Sequence, residues 1–467
     1  MHKPREQSVS GVNWATPTAE GGQPLYDVLS DYPLPVSWNS SRLEDLAIKV
    51  QDGTHFSPKS ETGPFRYLTS KNIRFGYLDI EDCGWISQEE HREIFRRCDV
   101  AKGDVLLTKD GANTGNAALN SLDEPFSLLS SVAMIRCNPA RLHEGYLLQY
   151  LLSPAMQKRL KDAMSGNAIS RIILEKIKTL RVIGPQDTNE QRRIAAALDA
   201  VDEAIRKTNS LIMKLDQVRV GLLHDLLTRG LDENGNLRSP ITHPEQFKDS
   251  PLGRIPREWA VSTVGQLELR IIDGDRGSHY PNESHLLEQG FCVFLNNKNI
   301  VDGSIDFSAA QFISEERDSL LGKGKLNLGD IVITTRGTVG NIALFSNLHP
   351  YPQVRINSGM IILRSYENVF ISQFFVALWK VLFPSEYRRL SSGSAQPQFP
   401  IRDIQKFRLV VPNRGEQERI VSVSSGVESA LAQERRILDK LKRVKIGLMA
   451  DLLTGRVRVP EESTVAP

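Results

Sequence analysis

The sequence predicts an α+β fold built twice over, each copy an α+β domain followed by one long helix, with the two helices packed as an antiparallel coiled-coil spacer. Two observations carry this. Glu190-Gln191-Arg192-Arg193-Ile194 returns 226 residues later as Glu416-Gln417-Glu418-Arg419-Ile420, and Gly221-Leu222-Leu223 returns at the same offset as Gly447-Leu448-Met449. Both copies are free of proline and each closes half of the chain, the mark of a gapless internal repeat. Ahead of each copy, short aliphatic runs bounded by glycine come first and helical stretches later, the order of an α+β domain.

In chain order, residues 1–25 are polar and rich in Gly and Pro, and are expected to be disordered. A domain over 26–187 follows, then a spacer helix over 188–230 and a linker over 231–251 rich in Asn, Gly, Pro and Asp. A second domain spans 252–412, a second helix 413–456, and a tail 457–467. The domains correspond segment by segment. Lys71-Asn72-Ile73 matches Lys298-Asn299-Ile300, Gly103-Asp104-Val105 matches Gly329-Asp330-Ile331, and Ser165-Gly166 matches Ser392-Gly393. The helical stretches around Tyr146–Leu160 and Phe374–Leu390 are each expected to break at a proline, Pro154 or Pro384.

Apolar residues on the first long helix fall at Leu198, Val201, Ile205, Ile212, Leu215 and Leu222, with polar Thr208 and Arg219 inserted. The second repeats the stripe at Val427, Leu431, Leu438, Leu441 and Leu448, with polar Glu434 and Lys445. Steps of three and four draw a narrow apolar seam of the coiled-coil kind. Thr188 with Gln191 fits a capping box, Asn413 suits the second N-cap, and Gly230 and Gly455 stand where left-handed stops belong. Ser422-Val423-Ser424-Ser425-Gly426 is a helix-poor run inside the second copy.

The formal charge of +2 is nearly balanced, so any basic surface must come from segregation of charge. Cys83, Cys98, Cys137 and Cys292 are too scattered for a zinc site or a disulfide frame. No signal-type apolar run opens the chain, and Val369–Phe383 is interrupted by Ser372, Gln373 and Lys380, so a cytoplasmic protein is expected. No phosphate loop, dinucleotide fingerprint or His-Glu-x-x-His occurs, and Asn138-Pro139 continues with Ala140 rather than as an amino-methyltransferase signature. The chain reads as a binding protein.

Two features suit nucleic acid. The glycine-rich turns Thr108–Asn116 and Thr335–Asn341 would present Lys109, Asn113, Thr114, Arg336 and Thr338 to a partner. The loops after Gly166 and Gly393 carry Ser170 and Arg171, and Gln396, Gln398 and Arg402. Arg bonds guanine edges and Gln adenine edges. Lys71, Asn72, Lys298 and Asn299 are candidate phosphate contacts. Two unlike readers on a fixed spacer fit a bipartite, asymmetric DNA site.

Gly103-Asp104-Val105-Leu106-Leu107-Thr108, Gly166-Asn167-Ala168-Ile169-Ser170-Arg171-Ile172, Gly393-Ser394-Ala395-Gln396-Pro397 and both Glu-Gln-x-Arg-Ile helix starts together resemble the specificity subunits of type I restriction-modification enzymes. The resemblance covers roughly residues 30 to 456. It implies a non-catalytic chain in which each target-recognition domain reads half of a gapped double-stranded DNA site and the helices set the gap. It further implies docking of two modification subunits, which use S-adenosylmethionine to methylate adenine, and two restriction subunits, which use ATP and Mg to translocate and cut. No cofactor or metal site is expected in this chain. The competing readings are a coiled-coil scaffold with protein-binding ends, and an enzyme whose site carries no known motif.

Overall fold

The computed structural model describes residues 34–164, 171–301, 303–346, 351–365, 370–391 and 398–459. The segment 1–25, Ser170, Gln396 and the end of the 457–467 tail lie outside the described residues. The chain divides into two compact units, residues 1–210 with 436–467 and residues 211–435.

The first unit contains β1 (Trp38–Arg42), α1 (Leu43–Leu46), β2 (Ala47–Asp52), β3 (Phe65–Leu68), β4 (Gly84–Ile86), α2 (Gln88–Arg97) and β5 (Val105–Thr108). It continues through β6 (Ala117–Leu119), β7 (Phe126–Leu128), β8 (Val132–Cys137), α3 (Glu144–Leu152), α4 (Pro154–Asp162), α5 (Leu174–Lys178) and β9 (Arg181–Pro185). Strands β2-β8-β5-β6 form an antiparallel sheet; β4-β3-β7 form a second, with β3 and β7 parallel. Antiparallel β1 and β9 set Trp38 opposite Pro185, so the domain's first and last strands close on each other.

Strand β5 is buried along its whole length because both its faces are covered. Val105 and Leu107 join the cluster of Tyr146, Leu147 and Tyr150 from α3. Leu106 faces the other way, into the cluster of Leu68, Phe126 and Leu128. The preceding Gly103 has φ +89. Asp104 accepts from the Ala101 N–H at 2.7 Å and takes both Nε and Nη2 of Arg136 at 2.9 Å. The Gly-Asp motif is thus a sheet clamp.

The long helix α6 (Thr188–Thr228) leads into the second unit, which holds β10 (Phe247–Ser250), β11 (Gly253–Pro256), β12 (Ala260–Thr263), β13 (Leu269–Asp273), β14 (Cys292–Leu295), β15 (Ile300–Val301) and β16 (Ser304–Ile305). There follow β17 (Gln311–Ile313), α7 (Glu315–Leu320), β18 (Ile331–Thr334), β19 (Ile342–Leu344), β20 (Val354–Ile356), β21 (Met360–Ser365), α8 (Ser372–Leu390), α9 (Ile401–Ile404), β22 (Arg408–Val411) and α10 (Arg414–Leu452). The sheets repeat: β13-β21-β18-β19, β17-β14-β20 with β14 and β20 parallel, and the closing pair β12-β22. The clamp repeats too, Asp330 taking Arg364 Nε at 2.8 Å and Nη2 at 2.6 Å. One buried pair is exchanged. His91 Nδ1 lies 2.9 Å from Ser127 Oγ in the first domain, and at the matching positions Asp318 receives Arg355 Nε at 2.8 Å. Burial pushes the His91 imidazole down. Burial pushes the Asp318 carboxyl up, but the bonds from Lys325 and Arg355 outweigh it and hold it low.

The long helices have 41 and 39 residues. In the first unit Ile194 and Leu198 share a core with Met449, Leu452 and Leu453, and Lys445 pairs with Asp202. In the second, Leu226 and Leu227 share a core with Ile420, and Arg219 lies 3.5 Å from Glu428 and Arg435 3.5 Å from Asp216. In each unit, later residues of α6 meet earlier residues of α10, so the pairing is antiparallel. Leu198 and Leu431 are buried, and Val201, Ile205, Ile212, Leu215, Leu222, Val427, Leu438, Leu441 and Leu448 are half-buried. Helix α10 runs unbroken through Ser422–Gly426, where Ser424 and Ser425 hydroxyls donate back to the carbonyls of Val421 and Ser422 at 3.1 and 2.9 Å.

Three local expectations are corrected. The cap of α6 is Asp187, not Thr188: its carboxylate accepts from the N–H groups of Asn189 at 3.0 Å and Glu190 at 3.3 Å. Gln191 is instead buried, accepting from the His143 N–H at 2.7 Å and donating to the carbonyls of Arg141 and Pro185. Gln417 plays the same part, accepting from the Ile371 N–H at 3.0 Å, while Asn413 does cap α10. The Glu-Gln start is therefore a docking joint between helix and domain. In the second unit its glutamate, Glu416, accepts from the Leu231 N–H at 2.9 Å and Trp259 Nε1 at 3.0 Å and pairs with Arg238. Finally, Pro154 separates α3 from α4, but Pro384 sits inside a continuous α8. The ring ladder Trp379–Phe383–Tyr387, at 5.5 and 5.1 Å, spans the proline and packs on Phe399, so tertiary contacts outweigh the lost backbone bond.

Candidate nucleic-acid interface

Each domain ties three separate loops into one surface. In the first, the turn after β5 is fixed on one side by Lys109 N–H to the Ser131 carbonyl at 2.8 Å. On the other side the Ile172 N–H donates to the Lys109 carbonyl at 2.8 Å, and Asp110 and Arg171 form an isolated antiparallel bridge. From a third direction Asn113 Nδ2 donates to the Ser70 carbonyl at 3.1 Å and Asn116 Nδ2 to the Ile73 carbonyl at 3.2 Å. The 70–73 loop, the turn and the strand entering at Arg171 are thus one unit.

The second domain repeats the arrangement. The Thr335 N–H donates to the Gly359 carbonyl at 2.7 Å, the Phe399 N–H to the Thr335 carbonyl at 2.9 Å, and Arg336 bridges Gln398. Asn341 Nδ2 reaches the Ile300 carbonyl at 3.1 Å, and Asn297 Nδ2 donates to the Arg336 carbonyl. Gly111 and Gly337 follow the bridge residue with φ +96 and +69, which only glycine adopts without strain.

The candidates separate by burial. Lys71, Arg171, Lys298, Arg336, Thr338, Gln398 and Arg402 are exposed. Arg336, Lys71 and Lys298 side chains have no partner among the described residues, while Arg402 Nε lies 3.4 Å from Asp403. Three candidates are corrected because they are buried. Lys109 is 1% exposed, with Nζ 3.0 Å from Asp110 Oδ2 and 3.6 Å from Asp52 Oδ2, so it is a buried ion and not a tip residue. Asn72 is buried, its amide accepting from the Thr69 N–H and donating to the carbonyls of Asp79 and Asp82. Asn299 does the same with Asn296 and Asp306. Asn113 and Thr114 are half-buried and bond within their own surroundings, Thr114 Oγ1 to the Gly111 carbonyl at 2.6 Å.

The sequence reading missed the charges around this surface. Asp52 takes Arg97 Nη2 at 2.9 Å and lies 3.5 Å from His55 Nε2; both of these side chains are about half exposed. In the second domain Arg276, 49% exposed, lies 3.2 Å from Asp273 and donates to the Ser358 carbonyl. The Asp275 carboxyl is held below its ordinary value, first by the Gly277 N–H, and through Gly322 it pins the loop carrying Arg276. The signal lay in the parallel segments Asp52–His55 and Asp273–His279. Among the described residues no group of three or more His, Cys, Asp or Glu side chains could hold a metal ion, and no helix is long and apolar enough to cross a membrane.

A duplicated recognition-type domain mounted on paired helices defines the class, and sequence comparison names the family. The profile of the type I restriction modification DNA specificity domain matches residues 35–217 and 256–443. The chain belongs to this family of type I restriction-modification specificity subunits, whose part is recognition and not catalysis. Two relatives from Methanocaldococcus jannaschii, named as the MjaX and MjaVIII type I restriction enzyme specificity subunits, are each 23% identical over 91% of this chain. The match covers 95% of the first and 94% of the second. The crystal structure of a type I restriction-modification S subunit from M. genitalium has the same fold, with TM-score 0.56 at 18% identity over 93% of this chain and 98% of that one.

Proposed function

We propose that this chain is the non-catalytic DNA reader of a type I restriction-modification complex, recognising a bipartite, asymmetric, gapped site. The carrying observation is that one backbone bridge occurs in both domains with different side chains upon it, Asp110 with Arg171 and Arg336 with Gln398. Equal frames with unequal readers suit two unlike words, and the paired helices suit a fixed gap between them. Lys71 and Lys298 contact phosphate beside the words. The long helices dock two modification subunits, which supply S-adenosylmethionine-dependent adenine methylation, and two restriction subunits join with ATP and Mg in the cytoplasm.

The test is modified-base sequencing of cells carrying this chain with its modification partner, against cells lacking it. A new methylated-adenine motif of two unlike words around a fixed gap is expected. A single ungapped word would overturn the spacer role, and no motif from an assembled complex would overturn the reading.

A further inference from the structure

The two bridges differ in how their side chains are held. Arg171 is 54% exposed and its Nε lies 3.1 Å from Asp110 Oδ1; its terminal nitrogens have no partner among the described residues. Asp110 is itself anchored, because its other oxygen lies 3.0 Å from the buried Lys109 Nζ. That ammonium is 3.6 Å from Asp52, whose carboxylate also binds Arg97. A chain of charges thus runs from Arg171 through Asp110, the buried Lys109 and Asp52 to Arg97, which is likewise about half exposed. In the second domain Thr335 stands in place of Lys109 and Arg336 in place of Asp110, so among the described residues no acid buttresses its bridge.

The contact of Arg171 with Asp110 is an ion pair and not a hydrogen bond, since Asp110 Oδ1 is buried without a hydrogen-bond partner; it lies on the Nε side of the guanidinium and leaves the two coplanar Nη groups without a partner among the described residues. That edge matches the O6 and N7 acceptors of guanine in the major groove. A phosphate would also accept two donors, but the Asp110 carboxylate beside Arg171 would repel the DNA backbone and not a base edge. We infer that Arg171 reads a guanine in the word recognised by the first domain, with Asp110 as its positioning residue. The inference rests on the DNA-reading function proposed above.

The test uses the full-length chain assembled with its modification subunit. Wild type, Arg171→Lys and Asp110→Asn are each incubated with randomised duplexes, and the bound fraction is sequenced. Arg171→Lys should cut the preference for one guanine by about 5- to 150-fold, the range of one bidentate contact, and leave the second word intact. Asp110→Asn should weaken preference at that same guanine, with other positions unchanged. A structural role for Asp110 would instead lower every position together with the melting temperature, and would overturn the positioning claim. Uniform loss in Arg171→Lys would mean a phosphate contact and would overturn the base assignment, as would an unchanged profile. If wild type enriches no bipartite site, the functional reading fails and this inference with it. If the site appears but neither variant touches a guanine, only the inference fails.

Discussion

Replacing Glu386 by Gln should destabilise the second domain in a strongly pH-dependent way. Glu386 is 3% exposed on α8 and receives Arg389 Nε at 2.8 Å, Arg408 Nη2 at 2.7 Å and the Arg408 N–H at 2.9 Å. Burial pushes its carboxyl up, but the hydrogen bonds from Arg389 and Arg408 outweigh this and hold it at about 2, against an ordinary 4.5. Because the folded value is depressed, the group contributes stability above the unfolded value and loses it as pH falls from about 4.5 toward about 2. At 1.36 kcal/mol per tenfold change in proton affinity, the full contribution is about 3 kcal/mol at pH 7 and roughly half that at pH 3. Hydrogen exchange at the β22 amides of Leu409 and Val410, corrected for intrinsic rates, reads the opening free energy locally. Glu386→Gln should lower it by about 3 kcal/mol at pH 7, with the gap to wild type closing below pH 4.5. A gap constant with pH would show that the carboxylate acts by shape and hydrogen bonding alone, and would refute the charge argument.

Two further comparisons pair a structural with a neutral change. Gly340 has φ +90 and an added Cβ would overlap the Phe383 ring, whereas Gly103 has φ +89 with open space around it. In urea unfolding Gly103→Ala should cost only the left-handed penalty of about 1–2 kcal/mol, and Gly340→Ala a further 1–3 kcal/mol or so for overpacking. Asn299→Ala strips bonds from a buried loop and should cost about 1–3 kcal/mol without altering base preference. Its neighbour Lys298→Ala should leave stability unchanged and reduce the slope of log affinity against log salt by about 1, which a salt titration of DNA binding reads directly.

What the sequence revealed is what periodicity and duplication can encode. The seam from Leu198 to Leu222 and from Val427 to Leu448 is the repeated apolar spacing itself, and the structure buries or half-buries each of these positions. The fate of Lys109 could not be read the same way. At the end of a strand, neighbouring side chains point to opposite faces, so an uncertainty of one residue exchanges inside for outside. The turn from Thr108 to Asn116 is one residue longer than that from Thr334 to Asn341, and the ambiguity falls there. The bridges settle it: Asp110, not Lys109, corresponds to Arg336. The burial of Asn72 and Asn299 is hidden from the sequence for another reason. Asparagine is as well suited to satisfying buried loop amides and carbonyls as to meeting a ligand, and only the surrounding backbone decides.

The same correspondence explains how the bridge side chains can differ while the fold around them stays fixed. The groups that position the bridge are shared: Asp104 with Arg136 and Asp330 with Arg364 clamp the central sheet, and Asn116 and Asn341 fasten the turn to the adjoining loop. None of these depends on the bridge side chains. Yet the bridge pair is not wholly independent of what lies beneath it. Among the described residues Lys109 pairs only with Asp52 and Asp110, so exchanging Asp110 for an arginine would set two cations side by side over a buried ammonium. The second domain avoids that conflict by carrying neutral Thr335 under Arg336, while Asp273 pairs with Arg276. A buried charge that has lost its partner costs several kcal/mol, more than a surface contact returns. The bridge therefore changes as a linked set, the acid and its buried lysine together, and the two domains hold two self-consistent solutions to one electrostatic constraint.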